Sequence, residues 1–171
     1  MATTNGNHAS EDMIKGLAHV NILVKLQLRH TYFGVLSITI ANSRQVPPGT
    51  LDQANEFYGN TLGLHSRQVP KLQAGTLAWF DISDSGQQVH VAFGQNETKS
   101  SRHPCFKIGS PDALMQLRQR IWEHHERGGE AAPQEQEADK PGTQNSGSQG
   151  VEFPSRFFAR DYAGNRLEFS L

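Results

Sequence analysis

The chain has 171 residues, a formal net charge of -1 at pH 7 and a single cysteine. The balanced charge argues against a nucleic-acid or membrane surface as the main partner, and one cysteine excludes an internal disulfide and suits a reducing compartment. The opening residues lack the apolar core of a signal peptide, and no apolar run approaches the ~20 residues that cross a bilayer. We therefore expect a cytoplasmic domain at residues 14–171, preceded by a disordered tail at 1–13.

The first half of this domain predicts one strand, one helix and three further strands. GLAHVNILV (16–24) is rich in β-branched and apolar side chains, which favours a buried strand. Residues 50–59 carry apolar side chains at helical spacing, including Phe57 and Tyr58, and predict a short amphipathic helix. Apolar runs separated by glycine-containing turns predict strands at 62–69, 76–82 and 87–93. Together these elements form a first module at residues 14–94.

The second half repeats that order as a second module at residues 101–171. HPCFKIG (103–109) predicts a strand. Ser110, followed by proline, predicts the capped start of a helix that Gly128 ends. Two closing strands, joined by a turn that contains Gly164, are predicted at 154–161 and 165–171.

Two segments lie outside the repeat. Residues 130–150 are polar and acidic without an apolar period, and are expected to form a solvated loop. Residues 25–45 interrupt the first module, and removing 24–45 joins NIL to VPPGTLDQANEFY as the expected strand, short loop and helix. Because its ends can be written with intron-like codons, we hypothesise that this segment is a translated intron. The alternative is a real extra strand, since FGVLSITIA has strong β character.

Ligand-type side chains occupy matching positions in the two modules. His19 and His103 each lie in the first strand of their module, and His90 and Glu168 each lie in the last. A lone histidine on a strand is more often a hydrogen-bonded core residue than a ligand. Glu168 differs, because an unpaired carboxylate in an apolar strand is costly and a metal or a cation would relieve that cost.

Two imidazoles and one carboxylate on separate strands can occupy one face of an octahedral metal and leave other positions open. This donor set suits Fe(II), Mn(II), Co(II), Ni(II) or Zn(II). A substrate could then chelate the ion through two adjacent oxygens, where the cation stabilises a developing enolate or oxyanion. The pattern therefore raises the hypothesis of one divalent-metal site held by His19, His103 and Glu168.

Several phrases of the sequence carry a family resemblance. The phrase A-x-x-F-Y-x-x-x-L-G-L runs from Ala54 to Leu64, and D-x-x-G-N-R-L-E runs from Asp161 to Glu168. With GLAHVNILV, QQVHVAFG and HPCFKI, they resemble the vicinal-oxygen-chelate superfamily, which contains lactoylglutathione lyases, fosfomycin-resistance and bleomycin-resistance proteins and extradiol dioxygenases. The resemblance implies an α+β fold of paired βαβββ modules, forming a cupped, barrel-like mixed sheet with flanking helices. The chain departs from the family at Tyr162, where proline is usual.

The resemblance also implies a site. His19, His103 and Glu168 lie where the family has metal ligands. His90 lies where lactoylglutathione lyases have a glutamate ligand and near where ring-cleaving dioxygenases have a catalytic histidine. We therefore expect His90 to be a fourth ligand or an acid/base, with a structural role in lining the barrel as the alternative. Family members often complete their sites by dimerising, so a homodimer and a small-molecule substrate are the expected partners.

Three functions stay open on these grounds. The leading one is a metal-dependent lyase or isomerase on a small oxygenated substrate, with His90 as a proton shuttle. The second is an extradiol-type dioxygenase. Phe158 argues against it, because such enzymes are expected to have a tyrosine at this position, ten residues before the carboxylate. The third is a non-catalytic pocket, as in bleomycin-resistance proteins, against which the chain retains the full ligand set.

Four other side chains have ordinary structural interpretations. We expect Trp79 to pack in the core, and His124, near the end of the second helix, to face water and favour the helix dipole. Cys105 is expected to be a small buried hydrophobe rather than a nucleophile. Arg160 is expected to be a surface charge rather than a ligand for an anionic substrate.

Overall fold

A computed structural model describes residues 13–21, 41–46, 50–94, 99–146 and 155–171. The predicted tail, apart from its last residue, lies outside the described residues. So do most of the proposed insertion and the end of the polar loop. The predictions made for those stretches therefore stay predictions.

The described strands form two open sheets of four strands each. In chain order, the strands are β1 (Ile14–Asn21), β2 (Ala41–Val46), β3 (His65–Arg67), β4 (Leu77–Asp81), β5 (Gln88–Phe93), β6 (His103–Ile108), β7 (Arg156–Arg160) and β8 (Arg166–Ser170). The first sheet has the order β1-β6-β8-β7, and the second has the order β2-β5-β4-β3. Both sheets are mixed, because β6 runs parallel to β8 and β2 runs parallel to β5, whereas the other neighbours are antiparallel.

Two helical regions follow the strands that open the two modules. A short helix α1 (Leu51–Ala54) continues as a π-helical segment, Asn55–Thr61. Helix α2 (Pro111–Arg127) begins where the Ser110 side chain accepts a 3.1 Å hydrogen bond from a first-turn amide, and it ends at Gly128 with φ 71°. A single 3₁₀ turn occupies Lys71–Gln73. No helix among the described residues is long and apolar enough to cross a membrane.

The core lies between the helices and one face of each sheet. Alternate side chains of the strands point to opposite faces, and in the first sheet Phe106, Phe157 and Phe169 point to the core and stack on one another. Phe57 and Tyr58 of the π-helical segment are fully buried, as predicted. The opposite face of the first sheet carries charged and polar residues and is called here the polar face. Its members on β6, β7 and β8 are His103, Cys105, Lys107, Arg156, Phe158, Arg160, Arg166, Glu168 and Ser170.

The predicted α+β class is confirmed, but the predicted cupped, barrel-like sheet is not. The described strands make two separate sheets, and neither closes on itself. The physical reason is that β1 pairs with the strands of the second module, whereas β2 takes the edge of the first module's sheet. The order strand–helix–strands nevertheless appears in both halves of the chain.

His124 is buried in the core, so the expectation that it faces water is wrong. Its side chain is 1% exposed, and its Nδ1 lies 2.6 Å from the Thr61 hydroxyl. Its Nε2 lies 3.2 Å from the Glu56 carboxylate, which is itself 3.6 Å from Arg127. The imidazole thus joins α2 to the π-helical segment. Burial, followed by the charge of Arg127, lowers the pKa of His124 below its ordinary value of 6.5.

This buried imidazole predicts a loss of stability in mild acid. Because the pKa is lower in the folded state than in the unfolded chain, the unfolded chain binds more protons once the pH falls below about 6.5. The free energy of unfolding should therefore fall with pH, by at most about 1.4 kcal/mol per pH unit for one proton. Urea unfolding from pH 7.5 to 5 should show a shallower pH dependence for His124→Gln than for His125→Gln, a control on the same turn. Equal slopes in the two variants would contradict this.

Candidate functional site

Two of the predicted ligands meet on the polar face of the first sheet. His103 Nε2 lies 2.9 Å from Glu168 Oε2, and the two side chains are 6% and 2% exposed. His103 opens β6 and Glu168 lies on the neighbouring strand β8, in register with Cys105. Parallel pairing of these strands therefore brings together a donor from the start of the second module and one from its end.

The hydrogen bonds of the pair fix which atoms face each other. His103 Nδ1 lies 2.6 Å from the carbonyl oxygen of Ser101. Because a carbonyl oxygen only accepts, Nδ1 must carry the hydrogen of that bond. Nε2 is then left to meet Glu168 with a lone pair or a second proton. A lone pair facing a carboxylate oxygen needs a proton or a cation between the two atoms.

Arg156 holds the other oxygen of the same carboxylate. Its Nη1 donates to Glu168 Oε1 at 2.9 Å, and the Arg156 side chain is 13% exposed. Arg156 also lies over the ring of Phe158, 5.4 Å from its centre, and Phe158 contacts His103 edge-on at 5.1 Å. These contacts leave Oε2, rather than Oε1, directed at the imidazole.

The arrangement of Nε2 and Oε2 fits neighbouring ligands of one divalent ion. Nitrogen and oxygen donors lie about 2.1 Å from a divalent ion such as zinc, so two such donors are about 3.0 Å apart at the right angle of an octahedral site and about 3.4 Å apart at a tetrahedral angle. The 2.9 Å between His103 Nε2 and Glu168 Oε2 is close to the octahedral value. The hydrogen bond at Nδ1 and the Arg156 contact are of the kind that orients metal ligands from behind. Within the described part of the chain, however, no group of three or more His, Cys, Asp or Glu side chains converges as a metal cluster.

The third predicted ligand, His19, lies in the same sheet. Its backbone is in register with Cys105, which is in turn in register with Glu168, so the three residues occupy neighbouring positions on β1, β6 and β8. The side chain of His19 is outside the described part of the structure. Its role as a ligand therefore stays a prediction.

His90 lies on β5 in the second sheet, whereas His103 and Glu168 lie in the first. Its ring stacks on Trp79 with centres 4.4 Å apart, and Nε2 lies 3.0 Å from the side-chain oxygen of Gln88. Partial burial lowers the pKa of His90, which favours the neutral imidazole near pH 7. Trp79 is only partly buried, on the side of β4 that carries this stack, so its expected place in the core is wrong. The alternation of the strand, in which Phe80 is the inward residue, explains the difference.

Cys105 is fully buried, as predicted, between the proposed ligands. Burial and the neighbouring Glu168 carboxylate raise the pKa of its thiol to about 12. A thiol with so high a pKa stays protonated near neutral pH and is a poor nucleophile.

Arg156 and Arg166 were not singled out from the sequence, and Arg160 was expected on the surface. Arg160 is buried, 4% exposed, and lies 3.2 Å from Glu137 of the polar loop, so its expected place as a surface charge is wrong. Arg166 forms a second ion pair with Glu137 at 2.7 Å and lies over the Phe158 ring at 3.8 Å. The loop is therefore anchored to the sheet by Glu137 rather than wholly solvated. The alternation R-F-F-A-R in β7 could have placed its arginines on the face of Glu168.

Comparisons with known proteins were made at the levels of sequence and structure. No protein-family model and no curated protein matches the sequence. A structure of a protein assigned to the glyoxalase family from Bacillus anthracis is 24% identical, with a TM-score of 0.50, and the match covers 83% of this chain and 97% of that one. A glyoxalase/dioxygenase from Nostoc punctiforme is 18% identical, with a TM-score of 0.52 and the same coverage.

A third solved structure is FosX, a fosfomycin resistance protein from Listeria monocytogenes, in complex with Mn(II) and sulfate. It is 14% identical, with a TM-score of 0.52, and the match covers 80% of this chain and 90% of that one. At these identities, the likeness bears on the fold alone. All three neighbours are glyoxalase, dioxygenase or fosfomycin-resistance proteins, the classes that the sequence phrases resemble. This chain therefore has the fold of the vicinal-oxygen-chelate superfamily.

Proposed function

We propose that this protein is a divalent-metal-dependent, glyoxalase-like enzyme, a lyase or isomerase of a small substrate that chelates the metal through two adjacent oxygens. The observation that carries the proposal is the 2.9 Å approach of His103 Nε2 to Glu168 Oε2 in a buried site. The FosX structure with Mn(II) gives a precedent for a divalent metal on this fold. His19 is proposed as the third ligand, because its backbone lies in the same sheet, one strand beyond β6.

The chain's own residues would prepare the site in three ways. Ser101 fixes His103 in the tautomer whose Nε2 can donate a lone pair to an ion. Arg156 holds Oε1, so that Glu168 presents a single oxygen. Phe158 covers the pair with an apolar ring and excludes water from one side. A bound divalent ion would supply positive charge that stabilises negative charge developing on the substrate's oxygens.

His90 is proposed as the proton shuttle of this reaction. Its lowered pKa keeps the imidazole neutral and able to accept a proton near pH 7. It lies on the second sheet, so this role requires that both sheets face the bound substrate.

Phe158 argues against the alternative that the protein is an extradiol-type dioxygenase. This residue is in register with Glu168 and contacts His103, so it occupies the position beside the site where the resemblance expects a tyrosine. Its ring has no hydroxyl and cannot donate a proton. Non-catalytic binding of a small molecule, as in bleomycin-resistance proteins, is the second alternative.

Metal analysis of the purified protein tests the proposal. Protein equilibrated with Mn(II) or Zn(II) and then desalted should retain about one ion per chain, because two buried donors already converge. His103→Ala should lower the affinity at least about 100-fold, more than the loss of a residue behind a ligand. His125→Ala is the matched control, since the contacts of His125 among the described residues are with the Pro133 carbonyl at 3.0 Å and with Trp122, and this variant should bind metal normally.

The same protein separates the alternatives. Oxygen uptake with catechols after anaerobic loading with Fe(II) would favour the dioxygenase. Tight binding of an aromatic ligand by protein that retains no metal would favour the non-catalytic reading. Equal metal content in the wild type and His103→Ala would contradict a site at His103.

A further inference from the structure

The first strand of the second module, β6, pairs with a strand on each side. In the first module, the corresponding two pairings are made by two different strands, β1 and β2. Strand β6 pairs antiparallel with β1 on one side and parallel with β8 on the other. In the first module, β1 makes the antiparallel pairing with β6, and β2 makes the parallel pairing with the last strand, β5. The two roles that β6 combines are thus split between β1 and β2, and β1 and β2 are the edge strands of their sheets.

The pairing of β1 with β6 is symmetric about a local twofold axis. His19 is in register with Cys105, and Asn21 is in register with His103. Exchanging His19 with His103 also exchanges Asn21 with Cys105, since each lies two residues further along its strand. The ladder therefore assigns Asn21 as the counterpart of Cys105.

In the second sheet, the position next to His90 corresponds to that of Cys105 next to Glu168. The register of β2 puts Asn21 at this position only if residues 24–45 are removed. Ser43 is in register with His90, and Val46 closes the strand. If residues 24–45 are absent, Leu23 is bonded directly to Val46, and counting back from Val46 puts Asn21 at the position of Ser43. Asn21 then pairs with His90 just as its counterpart Cys105 pairs with Glu168.

Burial at the edge position favours the shorter chain. Arg44 is partly buried, and this burial lowers the pKa of its guanidinium although Tyr58 and Asp161 nearby act to raise it. Val46, two residues along the same strand face, is fully buried. In the shorter chain, Ile22 takes the position of Arg44, so an apolar side chain replaces a guanidinium at a position partly withdrawn from water.

We propose that residues 24–45 interrupt a single strand, and that the chain without them joins the two sheets into one with His90 paired to β1 as the twofold counterpart of Glu168. The order of the joined sheet is β7-β8-β6-β1-β5-β4-β3. In that sheet, β1 replaces β2 beside β5 while keeping its pairing with β6. His90 then lies in the same sheet as His19, His103 and Glu168, which the divided strand prevents.

Two deletion variants test this inference in metal-free protein, so that the result does not depend on the proposed metal site. Deletion of 24–45 should raise the midpoint of urea unfolding above that of the full chain. Its amides in β1 should exchange slowly, and backbone proton contacts should join Asn21 to His90. Deletion of 24–44 is the matched control, because it keeps one more residue, Gln45. That residue shifts the register between β1 and β5 by one, so Asn21 no longer pairs with His90, while the pairing of β1 with β6 is unchanged.

The control should therefore unfold at a lower urea concentration than the deletion of 24–45, although it differs by a single residue. Three outcomes overturn the inference: failure of the shorter chain to fold under conditions in which the full chain folds, equal midpoints for the two deletions, or absence of contacts between Asn21 and His90.

Discussion

Glu168→Gln is expected to lose metal binding and to destabilise the metal-free protein. The substitution removes the charge that His103 and Arg156 share at 2.9 Å each. Loss of a direct ligand should weaken metal affinity at least about 100-fold, beyond the effect of residues behind the ligands. Without the metal, a guanidinium and an imidazole are left beside a neutral amide in a buried site. Breaking such a pair costs about 3 kcal/mol.

Isothermal titration with Mn(II) and urea unfolding measure these two effects separately. Glu123→Gln is the control, because Glu123 lies on the exposed side of α2 and, among the described residues, its hydrogen bond is with Gln119 at 2.7 Å. It should match the wild type in both measurements. If Glu168→Gln binds Mn(II) with the affinity of the wild type, Glu168 is not a metal ligand.

Asp161→Ala is expected to be the most destabilising single substitution in the turn between β7 and β8. The Asp161 carboxylate is fully buried and accepts four hydrogen bonds. The donors are the Tyr58 hydroxyl at 2.6 Å, the Ala163 amide at 2.9 Å, and the amide and side chain of Asn165, both at 2.8 Å. Alanine leaves these buried donors without their acceptor, which should cost about 4 kcal/mol, or about 10 °C in melting temperature.

Asp139→Ala gives the matched comparison for Asp161. The Asp139 carboxylate is only half-buried; its two oxygens share the Ser146 amide at 3.0 and 3.1 Å, and one also accepts from the Ser146 hydroxyl at 3.1 Å. Water can replace these bonds, so the loss should be at most about 1 kcal/mol. The free energy of unfolding of both variants is measured with urea. Equal losses would show that the hydrogen bonds of Asp161 stabilise the fold no more than those of Asp139.

Local sequence features predicted the elements of the second module well. The ending D-x-x-G-N-R-L-E is now explained by physical contacts, since Asp161 accepts bonds from Asn165 and Gly164 has φ 85° in the turn. Those contacts join β7 to β8 and set the position of Glu168 three residues later. His103 and Glu168 were also predicted from the sequence to share one site, and the pairing of β6 with β8, the first and last strands of the second module, brings them together.

Features that depend on long-range packing were not predictable from local pattern. His124 belongs to a run of polar residues at the end of α2, and only the packing of the π-helical segment on that turn buries it. Arg156 reaches Glu168 through a diagonal contact between β7 and β8, which needs the register of the two strands. The division of the first strand likewise depends on two registers that the sequence alone does not state.

The central claim is that one divalent ion binds between His103 and Glu168. Anomalous diffraction from crystals grown with Zn(II) tests it most directly. We expect a peak about 2.1 Å from both His103 Nε2 and Glu168 Oε2. Crystals with zinc bound only elsewhere, or with the 2.9 Å contact between these two atoms unchanged and no peak beside it, would contradict the proposed metal site.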